Sequence, residues 1–269
     1  MLKKRIIFTF YYFEGFFVQS RNFSLQKVGT LDWIKRNFNL SSISNFIDEL
    51  IIVDISKKRN FSKFLLNVEQ LSENFFIPIA CGGGITNLQQ VKELFRGGAD
   101  KILFNSNLYL NNDLIVETSK IFGEQSIIAS IDLKKNSLKN NYEIFVNNGF
   151  KKADIDVKSY ISKILKMPIG EILLRSIDKD GSGMGLNLDL LNFIPKNISK
   201  QIILSGGFGN VNHFEQGLNN IKIDAVCTGN LLNFIGNSLE DARRQLIKDG
   251  YKLPIWDKKS LISLKDSLR

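Results

Sequence analysis

The chain has 269 residues, 43% of them hydrophobic and 23% charged, with a formal net charge of +9 and a mean hydropathy of -0.05. That is enough apolar material for one large core or two small ones, and it excludes disordered, collagen-like and low-complexity classes. No apolar stretch approaches the roughly 18 residues of a membrane span, and the start Met1-Leu2-Lys3-Lys4-Arg5 is followed by Glu14 and crowded aromatics without a small-residue cleavage site.

Two cysteines, Cys81 and Cys227, have no metal-ligand spacing, and read as small buried side chains. The expectation is a cytoplasmic protein with no disulfide framework, metal or cofactor. Lys and Arg are scattered singly or in pairs, so the positive charge predicts neither a nucleic-acid nor a membrane partner.

In chain order, apolar runs of strand length occur at Arg5 to Phe10, Glu49 to Asp54, Ile77 to Cys81, Lys101 to Phe104, Ser126 to Ile131, Glu171 to Ile177, Gln201 to Leu204 and Asp224 to Cys227. Amphipathic segments such as Asn87 to Arg96 and Asn212 to Leu218 lie between them, opened by capping residues and closed by Gly or Asn. Strands alternating with helices imply parallel pairing.

The segment Ile77 to Asn87, with Gly82-Gly83-Gly84, recurs as Ile202 to Asn210, with Ser205-Gly206-Gly207. Glu49 to Asp54 likewise matches Glu171 to Asp178, and Asp100-Lys101-Ile102 matches Asp224-Ala225-Val226, all at an offset of about 120 to 125 residues. Four βα units repeated twice predict a (β/α)8 TIM barrel with an internal half-barrel repeat. A doubly wound open sheet is the alternative, but neither glycine turn has dinucleotide-binding spacing. No linker divides the chain, so residues 1–251 read as one barrel and residues 252–269 as a Lys-rich tail, a short appended helix.

Active groups of such barrels stand at the carboxyl ends of the strands. The polar strand ends here are Tyr11, Asp54, Gly83 and Gly84, Asn105, Asp132, Asp178, Asp180, Gly206 and Gly207, and Thr228. Glycines there bare backbone N–H groups beside helix N-termini, which makes anion sites. Two such sites related by the repeat suggest a substrate with two phosphates. Asp132, at the tip of an apolar strand, is the leading acid/base candidate, with Asp54, Asp178 and Asp180 as further carboxylates at the mouth.

Lys4-Arg5-Ile6-Ile7, Asp48-Glu49-Leu50, Gly82-Gly83-Gly84-Ile85, Gly98-Ala99-Asp100-Lys101, Gly170-Glu171-Ile172 and Ser176-Ile177-Asp178-Lys179-Asp180-Gly181 together resemble the cyclase subunit of imidazole glycerol phosphate synthase over nearly the whole chain. The resemblance implies a barrel that takes ammonia from a glutaminase subunit in a heterodimer. With it the family cleaves a ribotide bearing two phosphates, in histidine biosynthesis. It also implies phosphate-binding turns at Gly83, Gly84, Asn105, Gly206, Gly207 and Thr228-Gly229, an ammonia gate of Arg5, Glu49, Lys101 and Glu171, and a partner-facing Asp100.

The family's second catalytic aspartate falls on Asp132, but its first falls on Tyr11. A phenol with a pKa near 10 is a poor general base at neutral pH. Arg175 stands where the family has Thr, and Val146-Asn147-Asn148-Gly149 replaces a polar stretch after the fifth strand. The reading that follows is a subunit that still handles ammonia, for amidation of a sugar in surface-polysaccharide synthesis. The alternatives are a working cyclase relying on Asp132, and a phosphate-ligand sensor without its own chemistry.

Three features stay open. His213 reads as a capping or packing residue. Lys57-Lys58-Arg59 is either solvated or helps hold a phosphate. The aromatic cluster Phe8, Phe10, Tyr11, Tyr12, Phe13, Phe16 and Phe17 reads as a loop over the mouth or a docking patch.

Overall fold

The computed structural model describes residues 3–38, 40–229 and 238–254. Eight parallel strands form a barrel: β1 (Arg5–Phe13), β2 (Glu49–Asp54), β3 (Ile79–Gly82), β4 (Lys101–Phe104), β5 (Ile127–Asn136), β6 (Glu171–Ser176), β7 (Gln201–Ser205) and β8 (Ala225–Thr228). The circle closes because β8 pairs with β1 from Arg5↔Ala225 to Phe8↔Thr228. Helices such as Phe61–Ser72, Leu88–Arg96, Val157–Leu165 and Val211–Leu218 lie between successive strands. The expected (β/α)8 architecture is therefore the one observed, with a strand at each of the eight apolar runs.

Both faces of each strand are covered, which is why the runs are continuously apolar rather than alternating. Side chains of period two sort them. Ile7, Ile51, Ala80, Leu103, Ile128, Leu173, Ile203 and Ala225 pack inside the barrel, while Ile6, Phe8, Leu50, Ile52, Ile102, Ile172 and Ile202 pack outward with the helices. Asn87 caps the helix Leu88–Arg96 by accepting from Gln90 N. The helix expected from Asn212 starts at Val211, because Asn210 is its cap.

Two strands overrun their expected ends. β1 continues to Phe13 instead of stopping at Phe10, because Tyr11 to Phe13 pair antiparallel with Val18 to Phe16. Glu14 and Gly15, at φ 49° and 95°, make the two-residue turn that such a hairpin requires. β5 likewise passes Ile131 and pairs antiparallel with Asn141–Val146. The half-barrel repeat thus shows in both first strands, each folding back over the mouth.

The aromatic cluster is divided: Phe13 and Phe16 are half-buried at the hairpin turn, where Phe13 lines the cavity at the mouth, and the others are buried. Phe8, Phe10, Tyr12 and Phe17 belong to the layer between barrel and helices, where Phe10 meets Phe8 and Phe17 edge to face. Tyr11 points into the barrel.

Aspartates just before three even-numbered strands tie the barrel at the opposite end. Asp48, Asp100 and Asp224 each accept from a backbone N–H at the start of the neighbouring strand, on Ile6, Ile79 and Ile202, at 2.7 to 2.8 Å. Asp48 also pairs with buried Arg243 of the helix Ser238–Lys248, at 2.7 and 3.1 Å, and Arg243 donates to the Pro254 carbonyl. The start of the tail therefore lies on the barrel, with Leu253 buried; the appended helix expected in residues 255–269 lies outside the described residues.

Breaking a buried pair from one side costs about 3–5 kcal/mol. Asp48→Ala should lower the unfolding free energy, measured in urea, by about 3 kcal/mol or more. A loss under about 1 kcal/mol, the size of an exposed pair, would show that Arg243 does not anchor the last helix.

Candidate functional site

At the amino ends of the strands the inward positions carry charge. Arg5 contacts Glu49 and Glu171, and Lys101 contacts the same two carboxylates at 3.1 and 2.9 Å, which closes a ring of alternating sign. Arg5 also donates to Gln201 Oε1 at 2.7 Å. Burial opposes the Arg5 charge, yet Glu171 and Glu49 outweigh it and hold its pKa above the ordinary value. All four residues of the expected gate therefore meet in one ring. Asp100 is exposed beside it, with one carboxylate oxygen held by the Ile79 N–H.

At the carboxyl ends of the strands a cavity of about 560 Å³ opens. Of the expected site residues, Tyr11, Gly83, Gly84, Asn105 and Asp132 line it. Gly83 and Gly84 have φ of +99° and +68°, and a Cβ on Gly83 would meet the Asp54 carbonyl oxygen at 2.0 Å. Asp54 therefore shapes the turn through its backbone, while its side chain accepts from Ser56 N; burial raises its pKa. Arg59 lies across Gly84, 2.1 Å from where a Cβ would be. Asn147, Asn148, Lys27, Lys57 and Arg59 complete the rim, so the basic stretch after β2 contributes to the cavity.

The other expected residues stand outside that wall. Asp178 is exposed and accepts from Lys135 N at 2.7 Å. Asp180 accepts from Ser20 Oγ at 2.5 Å and Phe23 N at 3.2 Å, so it pins the strand Phe16–Arg21 and its turn. Gly206 and Gly207 are buried, and a Cβ on Gly207 would strike the Gly185 carbonyl oxygen at 2.0 Å. The second glycine turn thus packs under residues 183–185. Thr228 is buried, and Gly229 lies against the Tyr11 ring. His213 accepts from Gly209 N at 3.1 Å, just before its own helix.

Sequence reasoning treated Arg175 only as a departure from a family pattern; the structure puts it on the cavity floor. Its backbone pairs with Asp132 across β5 and β6. Its Nη1 lies 3.7 Å from Asp132 Oδ1, and its guanidinium sits 5.4 Å from the Tyr11 ring centre, a cation–π distance. Asn105 Nδ2 donates to the other Asp132 oxygen at 3.1 Å. The signal was available: Arg175 shares inward parity with Glu171 and Leu173.

Burial is the main influence on all three floor groups. It pushes the Tyr11 phenol well above its ordinary value, with Arg175 opposing. It raises Asp132 as well, with Arg175 opposing, Asp180 adding and Asn105 opposing. For Arg175 burial works against the charge, and the neighbouring Tyr11, Asp132 and Asp180 reverse the outcome and hold it protonated. Tyr11 is thus no base near neutrality, and the Asp132 carboxyl has a higher proton affinity than an exposed one. Among the described residues no group of His, Cys, Asp and Glu is placed to hold a metal ion. Both cysteines are buried and free, and among the described residues no helix is long and apolar enough to cross a membrane.

A closed (β/α)8 barrel with charge at one end and a basic cavity at the other defines the class. The pattern of the histidine biosynthesis protein family matches residues 40–236, and the chain belongs to that family. It is 44% identical over 246 residues to the "Putative imidazole glycerol phosphate synthase subunit hisF2" of Parasynechococcus marenigrum, covering 91% of each chain. It is 33% identical to the imidazole glycerol phosphate synthase subunit HisF of Clostridium botulinum strain 657, over 94% of this chain and 99% of that one. With the HisF of the Okra strain the identity is 32% over the same shares. The resemblance to the cyclase subunits is therefore a family relationship.

Because the folded state raises the Asp132 proton affinity, its contribution to stability is full below the unfolded pKa near 3.9 and is lost as pH rises through the folded value. Carbon-13 NMR of the Asp132 carboxyl group should show a midpoint above that of exposed aspartates. A midpoint at or below the ordinary range would mean that Arg175 outweighs burial.

Proposed function

We propose that the chain is the barrel subunit of a glutamine-dependent complex in the cytoplasm. A glutaminase subunit docks as a heterodimer on the Asp100 side and releases ammonia at the ring of Arg5, Glu49, Lys101 and Glu171. The ammonia crosses the barrel and is used or passed on at the mouth, where a phosphorylated small molecule binds, for amidation of a sugar in surface-polysaccharide synthesis. The observation that carries this reading is the contrast between the two ends. The charged ring is complete, whereas at the mouth a raised phenol and a buried guanidinium surround the single carboxylate Asp132.

The rim supports an anionic substrate. Lys27, Lys57, Arg59 and Arg175 face the cavity against one acid, Asp132, and the Gly83–Gly84 turn, with positive φ at both residues, lines it three residues ahead of the helix Leu88–Arg96, where bared backbone N–H groups favour an anion. Ring closure of the family's ribotide needs a proton donor and acceptor held together. Loss of one such group costs about 10²- to 10⁴-fold in rate, so the chemistry at this mouth differs from that of a two-aspartate cyclase.

The second reading, a working imidazole glycerol phosphate synthase cyclase, is favoured by Asp132 itself, which faces the cavity with one oxygen held by Asn105. Two measurements separate the readings. With saturating ammonium and the ribotide, the unmodified chain should give no imidazole product above background, and Tyr11→Asp combined with Arg175→Thr should give some. Turnover by the unmodified chain that disappears in Asp132→Asn would establish the cyclase instead. Lys101→Glu should cut glutamine-dependent nitrogen transfer by about tenfold or more, since it places three carboxylates around one arginine, and leave free ammonium as effective as before. Equal transfer in the variant would remove the ring from the ammonia path.

A further inference from the structure

Two turns meet at the rim of the cavity and hold aromatic rings there. The strand Phe16–Arg21 turns back into the strand Ser24–Gly29 through Asn22 and Phe23, at φ 51° and 63°. This is the left-handed pair of a two-residue hairpin turn, which favours Asn followed by Gly. A bulky residue rarely takes that conformation, yet Phe23 is held in it: Asn22 N donates to the Asp180 carbonyl at 2.9 Å and Phe23 N to Asp180 Oδ2 at 3.2 Å. The Phe23 ring lines the cavity and lies on Gly149, 2.5 Å from where a Cβ would be. Phe150, the next residue, also lines the cavity and is 74% exposed, with Lys57 Nζ 5.3 Å from its ring centre. Asn148, on the same turn, lines the cavity and donates from Nδ2 to the Ile55 carbonyl at 3.0 Å.

We propose that Phe23 and Phe150 form an aromatic subsite at the rim that takes the planar base of a nucleoside monophosphate, whose phosphate lies against Arg59 and the Gly83–Gly84 turn. A phenyl ring has no polar tip, so these two match a flat π-system rather than a charge, and the cations stand beside them. Lys57 at Phe150 and Arg59 across Gly84 are two residues apart, at most about 7 Å between their Cα atoms, a gap that one ribose bridges. The Asn148 carboxamide both donates and accepts, as the edge of a base requires. A phenylalanine at a left-handed turn position is costly to keep for the turn alone, since glycine forms the same turn without strain. Among the described residues the Gly206–Gly207 turn does not line the cavity, which is why the ligand carries one phosphate. The inference rests on the functional reading in taking the mouth as the site of a phosphorylated small molecule, and it does not depend on ammonia delivery.

Isothermal titration calorimetry of the full chain, without glutamine, ammonium or a partner, compares adenosine and uridine 5′-monophosphates with ribose 5-phosphate. Both nucleotides should bind about tenfold or more tighter than the sugar phosphate, because stacking on an aromatic ring favours any base. Phe150→Ala should remove most of that difference and leave the affinity for ribose 5-phosphate as it was. Phe23→Gly should do the same without lowering Tm, since glycine suits the turn, so the loss cannot be ascribed to unfolding. Arg59→Ala should weaken all three ligands alike. Ribose 5-phosphate that binds as well as the nucleotides overturns the aromatic subsite and leaves the functional reading standing. Binding of none of the three overturns the subsite and also removes the support for a phosphorylated ligand at the mouth. A preference for nucleotides that survives both phenylalanine variants overturns it as well. If Phe23→Gly does not fold, Phe150→Ala, whose ring is exposed, decides alone.

Discussion

When β6 pairs with β5, Glu171 stands beside Ile128 and Arg175 beside Asp132, and the last gap in the barrel wall is closed. That pairing sets which residues of β6 face inward, because a shift of one residue would turn every side chain to the other layer. With the observed register, Glu171 enters the charged ring, Leu173 the apolar interior and Arg175 the mouth. One strand of six residues thus contributes to both ends of the molecule and to the packing between them.

The two ends manage buried charge differently. In the ring, two cations and two carboxylates alternate, so each charge has an opposite neighbour on either side. Such an arrangement offsets much of the desolvation penalty, and it makes removal of any one member costly. At the mouth, Arg175 and Asp132 stand 3.7 Å apart without a hydrogen bond between them. A buried pair that merely stabilised the fold would make its hydrogen bonds. This one leaves Arg175 Nε and Nη2 and Asp132 Oδ1 buried without a hydrogen-bond partner among the described residues, each at a desolvation cost.

Much of this was legible in the residues. Strand positions follow from apolar, β-branched runs, and the eight-strand count from their recurrence at one offset; the members of the ring came from the resemblance. Other features were not legible, for physical reasons. The hairpins that prolong β1 and β5 depend on antiparallel pairing with residues such as Phe16 and Asn141, which an apolar run does not reveal. Asp54, Asp178 and Asp180 all lie near strand ends, but whether a carboxylate faces a ligand or a backbone N–H depends on loop paths, and here each is occupied by a hydrogen bond to its neighbours. Arg175 was visible as a residue and not as a partner, because its meaning lies in the β5–β6 register.

The repeat explains why the mouth is asymmetric. Tyr11 in β1 and Asp132 in β5 occupy equivalent positions, yet one is a phenol and the other a carboxylate. Equivalence also relates the glycine turns, yet the turn after β3 lines the cavity while that after β7 lies under residues 183–185. The chemistry-bearing groups on the floor therefore belong to β5 and β6, and Tyr11 from the first half acts on them as an apolar cover with a polar tip. A phenol whose ionisation burial opposes is suited to that part. It lies against the guanidinium without neutralising it, so Arg175 keeps its charge.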